Sequence, residues 1–292
     1  MTYPMSAILG FVQGVAEFLP ISSSGHLTLF QHFFGLAEPD NLFNVLLHFA
    51  TLLAVCIYYF QDVAEMIVEF FRGIAALFSR HPSPGNPPEA RRLVLLVIVG
   101  TLPLFAVLLI KNKVEALGSN PYFVSCALLV TGCILFCSDR MAGGRKNARN
   151  ATLKDVLLVG VAQGFATIPG LSRSGCTISA GMARGFDRKF AVRYSFLMSL
   201  PAVLGATILE VKDVLEMEGG LPEGRLPIYL MGMVIAGVVG YFSIGLVNLL
   251  ASKGKFGAFA YYCWGAGLLS LVLCAMGWTC LLYTSPSPRD TR

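Results

Sequence analysis

Two charged residues, Glu17 and Arg173, lie deep inside apolar segments of this sequence. Of the 17 acidic residues only Glu17 is so placed, and of the 22 lysines and arginines only Arg173. A charge at the centre of a bilayer costs at least about 2.5–3.5 kcal/mol, so such residues usually have a function. A purely structural ion pair is the alternative. However, apolar residues can often replace such a pair with little loss of stability, and the pair leaves the nearby hydroxyl groups unexplained.

The residues around Arg173 have the chemistry of an oxyanion site. They form the stretch PGLSRSGCT at positions 169–177. Glycines let the backbone approach a ligand closely, and arginine and hydroxyl groups bind phosphate oxygens. A helix that begins at such a break also presents free N–H groups to an anion. We therefore expect a phosphate site, whose candidate binding residues are Gly170, Ser172, Ser174 and Thr177.

A second polar stretch, PISSSGH at positions 20–26, follows Glu17. Glu17 could act as a general base or hold a divalent cation together with phosphate oxygens. Gln13 lies one helical turn earlier, on the same face. His26 is a candidate nucleophile toward phosphorus or proton donor to a leaving group, whereas His48 is expected to be a structural, hydrogen-bonded residue. The other candidate binding residues here are Ser22, Ser24 and Gly25.

Membrane helices are predicted to position these residues. The chain is 55% hydrophobic and 13% charged, with a mean hydropathy of +0.67, whereas a soluble domain carries about 25% charged residues. The net charge of +5 comes from basic residues in loops, which suit lipid headgroups and give no indication of nucleic-acid binding. Apolar runs near the spanning length of about 20 residues predict six transmembrane helices, at about 42–60, 93–110, 121–138, 190–209, 227–250 and 257–282.

Two further apolar segments, 5–36 and 153–182, are interrupted by the polar stretches. Each half is too short to cross alone, which predicts two re-entrant helical hairpins whose turns are covered by protein or water. Residues 61–80 have an amphipathic pattern, and no cleavable signal peptide is expected. The polar tail 284–292 is unlike the rest of the chain and is a candidate non-native segment.

The two hairpins belong to an internal repeat. Residues 10–29 and 160–179 align without a gap and share seven of twenty residues, mostly glycine and polar positions. Each hairpin precedes three spans, and three is odd, so the second unit should enter from the opposite face. The predicted fold is an all-α polytopic membrane protein with an inverted-topology repeat, made of unit 1–140 and unit 141–283.

Loop charges predict the orientation of the chain. The loops 61–92, 139–155, 183–193 and 251–256 on one side contain 15 lysines and arginines, whereas 111–120 and 211–226 on the other side contain four. The positive-inside rule places the first group in the cytoplasm. The first hairpin then starts outside and the second starts inside.

At these motifs the sequence resembles the undecaprenyl pyrophosphate phosphatase family of bacterial membranes. The family's (E/Q)xxxE motif is matched by residues 13–17 (QGVAE), the serine-rich run after it by 20–26, and its PGxSRSxxT motif by 169–177. The resemblance extends to about residue 283 and includes the plan of two hairpins and six spans. The first motif position is Gln13, which leaves Glu17 as the single acidic group of that motif.

The resemblance implies hydrolysis of a C55 polyprenyl pyrophosphate to the monophosphate, which recycles the lipid carrier of peptidoglycan synthesis and confers bacitracin resistance. It also implies a divalent cation, with Mg²⁺ or Ca²⁺ as candidates, and a multi-pass protein of the bacterial cytoplasmic (inner) membrane whose site faces outward. By position, Arg173 would bind the pyrophosphate with Ser172, Ser174 and Thr177. Glu17 and Gln13 would serve metal or water, and His26 and Ser23 are the candidates for direct chemistry.

Two other functions are compatible with the residues themselves. Inverted repeats with broken helices are also a transporter architecture, and the same phosphate site could carry a lipid phosphate or an anion across the bilayer. A non-catalytic membrane scaffold would leave Glu17 and Arg173 without a role. The sequence leaves the oligomeric state open, including a homodimer.

Overall fold

The computed structural model describes residues 1–33, 41–77, 88–141, 143–216 and 225–277. Within these ranges the regular secondary structure is α-helical, apart from one isolated parallel bridge between Lys146 and Phe186. The helices of the described residues are, in chain order, α1 (Tyr3–Ala16), α2 (Ser23–Phe33), α3 (Asn41–Tyr58), α4 (Phe60–Leu77), α5 (Glu89–Leu108), α6 (Lys111–Gly118), α7 (Pro121–Asp139), α8 (Leu153–Phe165), α9 (Arg173–Ala183), α10 (Arg188–Glu216), α11 (Leu226–Ser252) and α12 (Ala258–Ala275).

Five of these helices are long and apolar enough to cross a membrane: α5, α7, α11, α12 and the part Arg188–Leu209 of α10. Each coincides with a predicted span, although residues 278–282 of the last span lie outside the described residues. The helix α3 lies on the first predicted span, 42–60, and the bent pair of α3 and α4 gives a sixth candidate crossing if it is counted as one span. The chain is therefore an all-α polytopic membrane protein, as predicted.

The helix α10 is longer than the predicted span 190–209, since it continues to Glu216. Hydropathy marks where a helix leaves the apolar layer, but backbone hydrogen bonds continue in water. The segment 210–216 (EVKDVLE) consists largely of residues with moderate to high helix propensity, so the helix extends beyond its apolar part.

The helix α4 turns away from α3 by 90° after Tyr58. Phe60, Ile67 and Phe71 of α4 are exposed, whereas its Asp62 accepts two hydrogen bonds from Arg193 of α10, at 2.9 and 2.5 Å. Apolar and charged residues on different faces are typical of a helix that lies along a membrane surface. This matches the amphipathic pattern predicted for 61–80, of which residues 78–80 lie outside the described residues.

Each interrupted segment contains a pair of short helices. The helices α1 and α2 have 14 and 11 residues, and α8 and α9 have 13 and 11. At 1.5 Å per residue they are about 17–21 Å long, less than the roughly 30 Å of a bilayer core. We call residues 17–26 the first tip and residues 167–176 the second tip. Residues 34–36 of the first predicted hairpin lie outside the described residues.

Glycine contacts hold α1 and α8 against spans from the other half of the chain. A Cβ atom on Gly10 of α1 would lie 2.5 Å from the carbonyl oxygen of Gly232 on α11. A Cβ atom on Gly160 of α8 would overlap the carbonyl oxygen of Gly100 on α5. Real Cβ atoms do not approach a carbonyl this closely, so both helix pairs pack backbone to backbone.

A buried carboxylate fixes the beginning of α8. Asp155 is fully buried and forms ion pairs with Lys146 at 2.8 Å and Arg184 at 2.9 Å. It also completes a capping box with Thr152, which satisfies free N–H groups of the first turn. Burial alone would raise the pKa of Asp155, but hydrogen bonds from Lys146, Thr152 and Arg184 outweigh it and hold the pKa well below its ordinary value.

Candidate functional site

The carboxylate of Glu17 is the centre of the site. It stands at the C-terminal end of α1 and its side chain is only 5% exposed. Gln13, one turn earlier, donates from Nε2 to Glu17 Oε2 at 3.0 Å. The predicted shared helix face of these two residues is therefore realised as a direct hydrogen bond.

Three further side chains reach Glu17 from other parts of the chain. Ser23 Oγ donates to Glu17 Oε2 at 2.7 Å, and Arg173 Nη2 donates to Glu17 Oε1. His48 Nδ1 lies 3.2 Å from Glu17 Oε2. Buried charges require such partners, and the two intramembrane charges of the sequence are here partners of each other.

The two tips have the same local hydrogen bonding. Ser22 Oγ accepts from the N–H of Gly25 at 3.2 Å, and Ser172 Oγ accepts from the N–H of Gly175 at 3.0 Å. Both serines therefore satisfy an N–H group in the first turn of the following helix. The remaining N-terminal N–H groups of α2 and α9, and their helix dipoles, are available to favour an anion near Ser23 and Arg173.

The tips also contact each other. Ser22 Oγ donates to the carbonyl of Leu171 at 3.2 Å, and Ser174 Oγ lies 3.5 Å from the carbonyl of Leu19. A Cβ atom on Gly25 would be 3.0 Å from Gly170 Cα, so a larger residue at position 25 would push the tips apart. The two interrupted segments therefore meet at their polar stretches.

Not every candidate side chain reaches the carboxylate. His26 Nδ1 lies 2.8 Å from the carbonyl of Ser22, and His26 Nε2 lies 2.8 Å from the hydroxyl of Tyr262 on α12. Thr177 Oγ1 lies 2.6 Å from Ser195 Oγ and donates to the carbonyl of Arg173 at 2.8 Å. Both residues are therefore engaged in supporting contacts beside the site.

Sequence reasoning did not assign His48 to the site. The structure places His48 Nδ1 3.0 Å from Gln13 Nε2, beside the carboxylate. The prediction that His48 is hydrogen-bonded is correct, but its partners are the residues of the first motif. A polar residue within an apolar run was the one available signal, and it does not reveal which helix the residue faces.

A ligand can approach Glu17 through three partly exposed side chains. The side chains of Arg173 and His48 are 25% and 30% exposed, and Ser23 is half-buried, whereas Gln13 is buried. Two cavities of about 500 and 250 Å³ lie elsewhere, between α4 and α5 around Glu89. Glu17 lines neither of these two cavities.

Glu17 and Gln13 provide two side-chain oxygen atoms of the kind that a divalent cation prefers. Among the described residues no group of three or more His, Cys, Asp or Glu side chains could hold a metal. Glu17 supplies one carboxylate, and the buried amide oxygen of Gln13 has no hydrogen-bond partner. Mg²⁺ is typically held by one or two carboxylates plus substrate phosphate oxygens, and this donor set corresponds to that arrangement.

Comparison with known proteins agrees with the motifs. Residues 6–269 match the family described as bacitracin resistance protein BacA. The chain is 40% identical over 266 residues to a protein named undecaprenyl-diphosphatase from Halothermothrix orenii, and the alignment covers 91% of this chain and 95% of that protein.

Proteins with the same name from Desulforapulum autotrophicum and Methanosphaera stadtmanae are 39% and 37% identical over 268 and 273 residues. Each alignment covers 91% of this chain and 96% of the relative. Because family and relatives match along nearly the whole described chain, including both tips, the chain belongs to the bacitracin resistance protein BacA family.

Proposed function

We propose that this protein is an integral membrane phosphatase that hydrolyses undecaprenyl pyrophosphate to undecaprenyl phosphate and inorganic phosphate. The relatives are named for this activity. The observation that supports it in this chain is a buried carboxylate, Glu17, held between the hydroxyl of Ser23 and the guanidinium of Arg173. An anion-binding group and an activated hydroxyl thus share one carboxylate at the junction of two helix N-termini.

Arg173 is the group that would bind the terminal phosphate. In this structure its guanidinium is paired with Glu17. A pyrophosphate carries more negative charge than a carboxylate, and two of its oxygens can accept bidentate hydrogen bonds from the guanidinium N–H groups. Substrate binding would draw Arg173 from Glu17 to the phosphate and leave the carboxylate free to accept a proton.

Ser23 is the favoured nucleophile on geometric grounds. Its hydroxyl already donates to Glu17 at 2.7 Å, which is the arrangement of a nucleophile with its general base. The Ser23 oxygen would bond to the terminal phosphorus and its proton would pass to Glu17. The bond from that phosphorus to the bridging oxygen would break, and undecaprenyl phosphate would leave. Water would then hydrolyse the phosphoserine and release phosphate.

His26 is less suited to direct attack, because both of its ring nitrogens are engaged with Ser22 and Tyr262. A water positioned by Glu17 remains the alternative nucleophile. Glu17 and Gln13 would hold the Mg²⁺ or Ca²⁺ ion, which when bound would neutralise charge on the phosphate oxygens.

We also propose that residues 1–140 and 141–283 form inverted repeats with re-entrant hairpins. Two sets of matched contacts support this. The helix α1 packs on α11 as α8 packs on α5, each through a glycine pair. Thr131 of α7 donates to the carbonyl of Gly170. Cys263 of α12 donates to the carbonyl of Pro20, and Pro20 occupies the position of the first unit that corresponds to Gly170, 150 residues before it.

The proposed location is the cytoplasmic membrane, with the site open to the outer face. Loop charges support this orientation, since the positive-inside rule places the basic loops in the cytoplasm. Recycling of the lipid carrier for peptidoglycan synthesis, and resistance to bacitracin on overexpression, would follow from the activity.

Phosphate release from C55 prenyl pyrophosphate by the purified protein in detergent tests the function, with and without Mg²⁺ or Ca²⁺. Glu17→Ala and Arg173→Ala should abolish release while the protein remains folded. Absence of release by well-folded wild-type protein would contradict hydrolysis. Flux of a lipid phosphate into liposomes without phosphate release would then favour a transporter.

A further inference from the structure

The hydroxyl of Thr131, in the middle of α7, holds the backbone of the second tip. Thr131 is 1% exposed. Its Oγ1 donates to the carbonyl of Gly170 and accepts from the N–H of Ser172, both at 3.2 Å. The Gly170 carbonyl and the Ser172 N–H belong to the turn that immediately precedes Arg173. Gly170 has a φ of +94°, and a Cβ there would lie 2.6 Å from the carbonyl oxygen of Val124 on α7, so this turn is fitted to α7.

The helix α12 holds the first tip in a similar way. The carbonyl oxygen of Ser22 can only accept a hydrogen bond. His26 Nδ1, which lies 2.8 Å away, therefore carries the proton and donates it in a hydrogen bond to this oxygen. When His26 is neutral, Nε2 therefore accepts from the hydroxyl of Tyr262 at 2.8 Å, and the two rings stack with centroids 5.6 Å apart. Ser22, the residue before Ser23, has a φ of 71°, a conformation that a non-glycine residue keeps only when its surroundings fix it.

The helices α7 and α12 pack tightly against each other. A Cβ atom on Gly132 of α7 would lie 2.5 Å from the ring of Trp264. One on Gly267 of α12 would lie 3.0 Å from the carbonyl oxygen of Ser125. The pair thus forms one unit that contacts both tips, yet no candidate catalytic residue lies on it.

We propose that the α7–α12 pair is a brace that sets the placement of Arg173 and Ser23 around Glu17. Thr131 is a positioning residue that acts on Arg173 through the Gly170–Ser172 turn. Tyr262 is a positioning residue that acts on Ser23 through His26 and Ser22. The catalytic roles in this proposal rest on the proposed function, whereas the structural role of the brace does not.

Thr131→Val tests the brace, since it removes the hydroxyl and keeps the shape of the side chain. We expect kcat to fall about 10- to 100-fold and KM to rise, because Arg173 binds the phosphate. Thr131→Ser should restore most of the activity. Tyr262→Phe should lower kcat with little change in KM. The matched control is Thr207→Val on α10, which removes another buried hydroxyl that bonds within its own helix.

Hydrogen exchange gives a readout that does not depend on turnover. In Thr131→Val the amides of residues 170–176 should exchange about 2- to 10-fold faster, while those of 22–26 should respond mainly to Tyr262→Phe. Thr207→Val should change neither tip. If amide exchange at both tips, kcat and KM all match the wild type in these variants, the proposed brace is wrong although hydrolysis stands. If the wild type releases no phosphate, the proposed function fails and the exchange data still decide the brace.

Discussion

At the scale of single residues, the contacts of Glu17 determine which reaction the site can perform. Glu17 Oε1 accepts a hydrogen bond from Arg173, and Glu17 Oε2 accepts hydrogen bonds from Gln13 and Ser23. In the proposed reaction, the Ser23 hydroxyl would pass its proton to Glu17, and the Arg173 guanidinium would leave Glu17 to bind a phosphate.

Replacement of Ser23 by alanine should lower turnover on the order of 10³-fold, since it would remove the proposed nucleophile and leave Arg173 in place. Substrate binding should be nearly unchanged. Phosphate release and the binding of a non-hydrolysable diphosphonate analogue would be measured in parallel. Ser252→Ala, at the exposed end of α11, is the control. A Ser23→Ala variant with only a few-fold loss would favour direct attack by water.

Replacement of Gln13 by glutamate should strengthen the response to a divalent cation. The new carboxylate would lie beside Glu17, and two carboxylates bind Mg²⁺ more strongly than one carboxylate and one amide. We expect the Mg²⁺ concentration for half-maximal activity to fall by roughly tenfold. A titration of phosphate release against Mg²⁺ measures this, and an unchanged midpoint would argue against a cation at Gln13 and Glu17.

At the scale of helices, backbone contacts at glycines set the position of each hairpin. Gly160→Ala should destabilise the protein by about 1–3 kcal/mol, because its Cβ would overlap the carbonyl oxygen of Gly100. Gly265→Ala is the matched control, since a Cβ there meets no atom within 4 Å. Thermal unfolding in detergent compares the two. Equal melting temperatures would mean that α5 and α8 can separate without cost.

Asp155, in the first turn of α8, should make the free energy of unfolding of the protein depend on pH. The pKa of Asp155 is depressed in the folded protein, so its contribution is complete above the unfolded pKa of about 3.9. It is lost as pH falls below that value toward the folded pKa. Asp155→Asn should therefore lower the melting temperature at pH 5–8, and the difference from wild type should shrink below about pH 4. A difference that stays constant to pH 3 would contradict this.

At the scale of the whole molecule, the proposed inverted repeat predicts on which side of the membrane each loop lies. Reporter fusions can test it, using alkaline phosphatase for the outside and a fluorescent protein for the cytoplasm. The fusion after Asn112 should report the outside, and the fusions after Asn147 and Lys189 should both report the cytoplasm. The last two flank the second hairpin, so opposite signals from them would mean that this segment crosses the membrane.

Much of the site was predictable from the sequence because its chemistry is rare in its setting. A charge inside an apolar run is conspicuous, and the break in a helix beside it requires polar groups to satisfy the backbone. For this reason Glu17, Ser23 and Arg173 could be named as candidates, and the six spans could be placed from hydropathy alone.

The tertiary structure decided the roles of the neighbours. His48, Thr131 and Tyr262 lie on helices that are apolar on nearly every face, so no periodicity indicates which face meets the tips. Their roles depend on how α3, α7 and α12 pack. The sequence by itself determined that Glu17, Arg173 and several serines lie at the breaks of two apolar segments. Only packing decided that His48 joins it and that His26 turns toward Tyr262, because hydrogen bonds between helices depend on distances that chain order does not specify.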